Sequence, residues 1–124
     1  MVYPGSPTCE ASCEDLLYQT RQIRTALGKD TERVQRIYLL ASIPQESAQL
    51  ERLLDMHPDL LLAVLTSPET VQQFPTPDEV PFWSGRQLYI VDPLGNLMMR
   101  YSAEQAPKDM LADLKRLLRL SHIG

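Results

Sequence analysis

The sequence predicts an α/β domain built on one mixed β-sheet with helices on both faces. Apolar runs typical of strands alternate with helical spacings through the first half of the chain, which is the pattern of parallel strands joined by helices. Later, a Pro-Leu-Gly-Asn turn at 93–96 separates two further strands and predicts an antiparallel hairpin. At 124 residues with 44% apolar side chains, the chain supports one hydrophobic core and hence a single domain over residues 1–124.

The predicted order of elements is β-α-β-α-β-α-β-β-α. The first strand begins at Val2 and runs into a turn before Cys9. Helical spacing of Leu16, Thr20 and Ile23 indicates the first helix, which we expect to end at Gly28. The later elements are a strand at 33–40 that stops before Pro44, a helix at 47–56, a strand at 60–66, a helix that starts at 67, an irregular loop at 75–85, strands at 86–92 and 97–101, and a helix that Pro107 opens.

Three of these elements carry specific signals. The run at 60–65 is almost continuously apolar, which predicts a central strand buried on both faces. Ser67 followed by Pro68 predicts a helix start, because serine caps free N–H groups and proline suits the first helical position. The last helix carries an apolar stripe formed by Met110, Leu111, Leu114, Leu117 and Leu118.

The opening strand is short, about three residues where strands usually have five or six. We therefore expect this first strand to be truncated and a further segment to precede Val2 in the full protein. A membrane anchor or an export signal is the kind of segment we expect there.

The two cysteines, Cys9 and Cys13, lie four residues apart where the first strand passes into the first helix. In a helix this spacing separates Cα atoms by about 6 Å, which a disulfide tolerates and which also lets two thiolates share a metal ion. The helix N-terminus stabilises a thiolate, whereas Glu10, Glu14 and Asp15 disfavour a second negative charge. The pattern leaves open disulfide exchange, soft-metal binding, an inert structural bridge or two small buried side chains.

The order of elements, with a cysteine pair between the first strand and the first helix, resembles the thioredoxin-like fold. Within that fold, the stretches PTCEASC at 7–13 and LYIVDPLGN at 88–96 resemble the Sco/SenC family. The family's CxxxC pair matches Cys9 and Cys13. Its strand that ends in Asp-Pro-x-Gly matches Asp92, Pro93 and Gly95.

The resemblance implies a protein of bacterial cytochrome c oxidase assembly, anchored at the periplasmic side of the inner membrane. Cys9 and Cys13 would be its catalytic pair for thiol-disulfide exchange and would also be the ligands of Cu(I), the one cofactor implied. Cys9 is expected to be the more exposed thiol that starts exchange, with Cys13 as its resolving partner. The implied partner is a protein, either an oxidase subunit or a copper chaperone. The alternative is a non-catalytic interaction module whose cysteines are only structural.

One family feature is missing from this chain. Sco proteins complete their copper site with a histidine in the loop before the penultimate strand, and the matching position here is near Ser84. We expect His57 and His122 to be solvated or capping residues and Met98 and Met99 to be packed, so none of the four is expected to be a ligand. Two thiolates suit Cu(I), but Cu(II) requires a further nitrogen donor. We therefore expect this chain to have kept a dithiol/disulfide function and not high-affinity copper storage.

Composition also excludes some classes of function. A net charge of −4, without a basic cluster outside the last helix, gives no electrostatic support for nucleic-acid binding. The longest apolar run is far too short to span a bilayer. Phe82 and Trp83 form either an exposed docking patch near the cysteines or a plug at the edge of the core.

Overall fold

The computed structural model describes residues 1–42, 47–77 and 79–120. Within these residues, five strands form one sheet in the order β3-β2-β1-β4-β5. The pairs β1–β2 and β2–β3 are parallel, whereas β4 lies antiparallel to both β1 and β5. The strands are β1 (Val2–Pro4), β2 (Arg36–Leu40), β3 (Leu60–Val64), β4 (Gln87–Val91) and β5 (Leu97–Ser102). The predicted mixed α/β sheet is thus confirmed, while the expected boundary at Pro44 lies outside the described residues.

The helices lie on both faces of this sheet, as predicted. The chain steps outward from β1 to β2 to β3, and parallel connections of this kind are almost always right-handed, so the first two helices share one face; the last helix packs into the same core. Their apolar residues form the main core, while a smaller cluster around Phe82 and Tyr89 fills the other face. The α-helices are α1 (Ala11–Thr25), α2 (Ala48–Met56), α3 (Pro68–Gln72) and α4 (Ala106–Leu120), and 3-10 helices span Gly28–Arg33 and Phe82–Ser84.

Two local predictions at the start of helices are confirmed, and one at a helix end is wrong. Ser47 and Ser67 each cap a helix by accepting a hydrogen bond from a backbone N–H, and Pro68 occupies the first turn of α3. The first helix ends at Thr25, earlier than expected. Gly28 has a φ of 60°, a left-handed conformation that glycine adopts without strain, and it is the first residue of the 3-10 helix that follows α1.

The prediction that the apolar run at 60–65 forms a central strand is wrong. It forms β3, which lies at the edge of the sheet and pairs with β2. Leu61 is 54% exposed there. Both faces of β3 carry apolar residues because Leu60 packs into the main core while Ala63 packs into the smaller cluster. The central position belongs to β1, which therefore delivers Cys9 from the middle of the sheet.

A buried ionic cluster lies at the opposite end of the sheet from the cysteines. Arg36, the first residue of β2, donates hydrogen bonds of 2.8 and 2.7 Å to the two carboxylate oxygens of Asp59. Its guanidinium also lies 3.1 Å from Nδ1 of His57, whose side chain is 1% exposed. The prediction of a capping role for His57 is confirmed by its position at the end of α2, but that of a solvated side chain is wrong.

The aromatic and methionine predictions have mixed outcomes. Phe82 is buried, and its ring centroid lies 5.1 Å from that of Phe74 and 4.7 Å from that of Trp83, so these rings fill the edge of the smaller cluster. Met99 packs against the main core, as expected, whereas Met98 is 45% exposed and the packing predicted for it is wrong. Among the described residues, no helix is both long and apolar enough to cross a membrane.

Candidate functional site

Cys9 and Cys13 are joined in a disulfide, so the expectation that the pair can close a bond is confirmed. The sulfur atoms are 2.03 Å apart and the Cα atoms 5.3 Å apart. Cys9 lies in the segment that leaves β1, before α1 begins at Ala11, and Cys13 lies in the first turn of α1. The bond therefore ties the centre of the sheet to the start of the first helix.

The two half-cystines are unequally buried. Cys9 is 1% exposed and belongs to the main core. The side-chain amide of Gln49, on α2, donates a hydrogen bond to the backbone carbonyl of Cys9, so α2 closes over this residue. Cys13 is half-buried and packs against the core from its margin. The expectation that Cys9 is the more exposed cysteine is therefore wrong, because the chain before α1 passes beneath α2 while the first turn of α1 faces outward.

A surface cavity of about 300 Å³ adjoins the disulfide on the side of Cys13. Its wall includes the loop before β4, at Ser84, Gly85 and Arg86, and the acidic residue Glu10. Hydroxyl side chains line much of the remainder, namely those of Tyr3, Ser6, Thr8 and Ser12. The cavity is polar, carries one side chain of each charge and exposes one of the two cysteines.

Two stacked tyrosines support the floor of this site. Tyr3 on β1 and Tyr38 on β2 are direct neighbours in the parallel ladder, and their ring centroids are 5.7 Å apart. The hydroxyl of Tyr38 donates to the carbonyl of Ser6 and lies 3.7 Å from Sγ of Cys13. Burial raises the pKa of Tyr38 well above its usual value, and it raises the pKa of Tyr3 to about 12. Both side chains are therefore neutral phenols at physiological pH and offer hydrogen bonds, not charge.

Two glycines make room for these tyrosines. A Cβ atom at Gly5 would lie 2.8 Å from Cε1 of Tyr38, so only glycine lets this ring pass under the turn that follows β1. Gly85 has φ of 76°, and a Cβ atom there would lie 3.0 Å from Oη of Tyr3. The same Tyr3 hydroxyl donates a 2.8 Å hydrogen bond to the carbonyl of Gly85. The loop before β4 is thereby fixed beside the disulfide.

The residues that the structure describes do not form a three-ligand copper site. Among residues 1–42, 47–77 and 79–120, no group of three or more His, Cys, Asp or Glu side chains converges to hold a metal ion. Ser84, near the position where the resemblance to the Sco/SenC family implies a histidine, does line the same cavity as Cys13, but its hydroxyl is a poor ligand for copper. His57 is committed to Arg36 at the other end of the sheet, and His122 lies outside the described residues.

Residues 1–121 match the family described as "Transmembrane-like, thioredoxin-like, C-terminal domain". The chain belongs to this family. Among solved structures, ScoI of Bradyrhizobium japonicum, determined with copper bound, matches with a TM-score of 0.61. The two proteins are 21% identical, and the match covers 93% of this chain and 82% of ScoI. No curated protein sequence matches the chain.

These matches confirm the Sco-like thioredoxin fold predicted from the sequence. The residues that sequence reasoning missed are Tyr3, Tyr38, Gln49 and Arg86, all of which touch the cysteines or the cavity. The sequence did contain a signal for the pairing of the two tyrosines. Each tyrosine is the middle residue of its strand, so pairing β1 and β2 in parallel about their centres places Tyr3 beside Tyr38.

Proposed function

We propose that this protein is a Sco-like thiol-disulfide exchange protein whose reactive pair is Cys9–Cys13. The observation that carries the proposal is the position of Cys13, which faces a polar surface cavity while bonded to a buried partner. Exchange requires an incoming thiolate to reach a sulfur atom, whereas a structural bridge works equally well when fully enclosed. Membership of a thioredoxin-like family also supports the proposal.

The pair would transfer two electrons per cycle between itself and a partner protein. In the reduced state, its dithiol would reduce a disulfide of the partner and would itself become the disulfide of Cys9 and Cys13. We propose that the partner takes part in cytochrome c oxidase assembly at the periplasmic side of the bacterial inner membrane. The resemblance of residues 7–13 and 88–96 to the Sco/SenC family implies an oxidase subunit or a copper chaperone, kept reduced for metal loading, as this partner.

The reduction potential of the pair tests the exchange function. The protein is equilibrated in a series of glutathione or dithiothreitol redox buffers, and the ratio of dithiol to disulfide is read from intact mass after acid quenching. We expect a potential above about −300 mV, because structural disulfides in secreted proteins lie below that value. A lower potential, together with no reaction toward glutathione, would instead support the non-catalytic interaction module.

Transport of Cu(I) is a second candidate, because the copper-bound ScoI has the same fold. The reduced pair would offer two soft thiolates, and Cu(I) accepts such low coordination. Titration with Cu(I) under reducing conditions, followed by native mass spectrometry, tests this candidate. One bound ion that is lost in the Cys9→Ser/Cys13→Ser double variant would favour it. A dithiol that binds no ion would leave exchange as the sole function of the pair.

A further inference from the structure

We infer that Cys13 is the sulfur that exchanges with partner thiols and that Cys9 is the resolving cysteine. This inference rests on the proposed exchange function and goes beyond it by assigning a separate role to each sulfur. The assignment is the reverse of the order expected from the sequence. It follows from the unequal burial of the two residues and from the position of the cavity.

Access decides which sulfur an incoming thiolate can attack. Displacement at a disulfide proceeds along the axis of the S–S bond, so the nucleophile must approach the attacked sulfur from the side opposite its bonded partner. Attack on Cys9 would require entry through the core, since Cys9 is 1% exposed and lies beneath α2. Attack on Cys13 starts from the cavity that this residue lines.

The cavity suits a cysteine carried by a polar peptide segment. Its volume of about 300 Å³ is at the lower end of ligand sites, large enough for a side chain and the adjoining backbone. Its wall offers the hydroxyl of Ser84 and the charged groups of Arg86 and Glu10 as polar contacts. An apolar segment would leave these groups without partners, which disfavours binding.

The steps balance as follows. In the reduced protein, the thiolate of Cys13 attacks one sulfur of the partner's disulfide, and the partner's other sulfur leaves as a thiolate that takes a proton from solvent. Cys9 then loses its proton and attacks Sγ of Cys13, which breaks the mixed disulfide and releases the partner's second thiolate. Two electrons pass to the partner, and the Cys9–Cys13 bond is restored. Reduction of this bond by an external dithiol follows the same path in reverse.

Single-cysteine variants test the assignment. Cys9→Ser leaves only the Cys13 thiol and Cys13→Ser only that of Cys9, and each folded variant is mixed with oxidised glutathione while intact mass follows formation of the mixed disulfide. We expect Cys9→Ser to react at least about tenfold faster, because thiol exchange depends on access. In 6 M guanidinium chloride the two rates should become similar, which controls for intrinsic reactivity. Equal rates in the folded state, or faster reaction at Cys9, would overturn the assignment.

The wild-type protein supplies a second measurement that requires no substitution. Brief treatment of its disulfide with reduced glutathione is quenched with acid, and the protein is cleaved after Glu10, which separates the two cysteines into different peptides. We expect glutathione on the peptide that contains Cys13. Glutathione on the Cys9 peptide would refute the assignment but would leave the exchange function standing, so the two proposals fail in distinguishable ways.

Discussion

The phenolic oxygen of Tyr38 lies 3.7 Å from Sγ of Cys13, while the same hydroxyl donates a hydrogen bond to the carbonyl of Ser6. This contact joins β2 to the first turn of α1. In the disulfide, the sulfur carries no proton, so the single phenolic proton remains with Ser6. A thiolate at Cys13 would compete for that proton, because hydrogen bonds to charged acceptors are stronger than those to neutral ones.

We predict that Tyr38→Phe slows exchange at Cys13. The variant keeps the ring but loses the hydroxyl that can stabilise the thiolate, a change worth about 1 kcal/mol and hence about fivefold in the rate of reaction with oxidised glutathione. Tyr3→Phe is the matched control, because the Tyr3 hydroxyl is bonded to the carbonyl of Gly85 and not to sulfur. An equal loss of rate in both variants would mean that Tyr38 acts only through packing.

We predict that Gly85→Ala destabilises the protein more than Gly28→Ala. Both glycines have positive φ, which costs alanine about 1 kcal/mol. At Gly28 nothing lies within 4 Å of the added Cβ, whereas at Gly85 that atom would lie 3.0 Å from Oη of Tyr3. The displaced tyrosine should add about 1 kcal/mol to the loss in free energy of unfolding, measured by urea denaturation. Equal losses of unfolding free energy in the two variants would show that the contact between Gly85 and Tyr3 does not contribute to stability.

We predict that Arg86→Gln changes the preference among small thiols. Arg86 lines the cavity, so its guanidinium attracts the carboxylates of glutathione and repels the ammonium group of cysteamine. For each thiol, the rate of reduction of the Cys9–Cys13 disulfide is measured. The variant should lower the rate with glutathione relative to the rate with cysteamine by about two- to fivefold at low ionic strength, with a smaller effect in salt. Arg100→Gln, an exposed arginine on β5, is the charge-matched control and should leave this ratio unchanged.

Stability should fall as the pH drops below 6.5, with His57 as the cause. Burial, followed by the nearby Arg36 guanidinium, lowers the pKa of His57 from its usual 6.5, so the folded state holds the neutral ring. The unfolded chain binds the proton more readily, so the stability that neutral His57 provides is complete above pH 6.5 and is lost as the pH falls toward the lowered pKa. The pKa of Asp59, held below 3.8 mainly by its hydrogen bond with Arg36, affects stability only at more acidic pH.

The variant His57→Gln isolates this contribution, because glutamine keeps an acceptor for Arg36 but does not titrate. Urea unfolding at pH 8 and at pH 5 gives the loss of free energy for each protein. We expect the free energy of unfolding to fall by more in the wild type than in the variant between pH 8 and pH 5. Equal losses would assign the pH dependence to other groups.

Much of the architecture could be predicted because it depends on local patterns. Ser67 and Pro68 mark a helix start by their own chemistry, and the stripe that contains Met110 and Leu114 has helical spacing. The position of β3 could not be found in this way. Its apolar run meets a core on each face, as a central strand would, and only the outward order of the crossovers places it at the edge.

The cysteine pair could be recognised from the sequence, but the accessibility of its two sulfurs could not. The spacing of Cys9 and Cys13 was sufficient to show that a disulfide between them is possible, since neighbouring residues determine whether two sulfurs can meet. Burial depends on distant parts of the chain. Gln49 closes over Cys9 from 40 residues away, and Tyr38 reaches Cys13 from the next strand. Neither contact could be predicted from the residues that surround the cysteines in the sequence.

The dependence of disulfide reduction on thiol concentration tests the central claim most directly. The folded wild-type protein is exposed to increasing concentrations of reduced glutathione, and loss of the Cys9–Cys13 bond is followed by intact mass, with and without urea below the unfolding transition. Our account predicts a rate that rises in proportion to glutathione and responds little to urea, because Cys13 is attacked in the native state. A rate that is independent of glutathione and equal to the rate of global unfolding would contradict it.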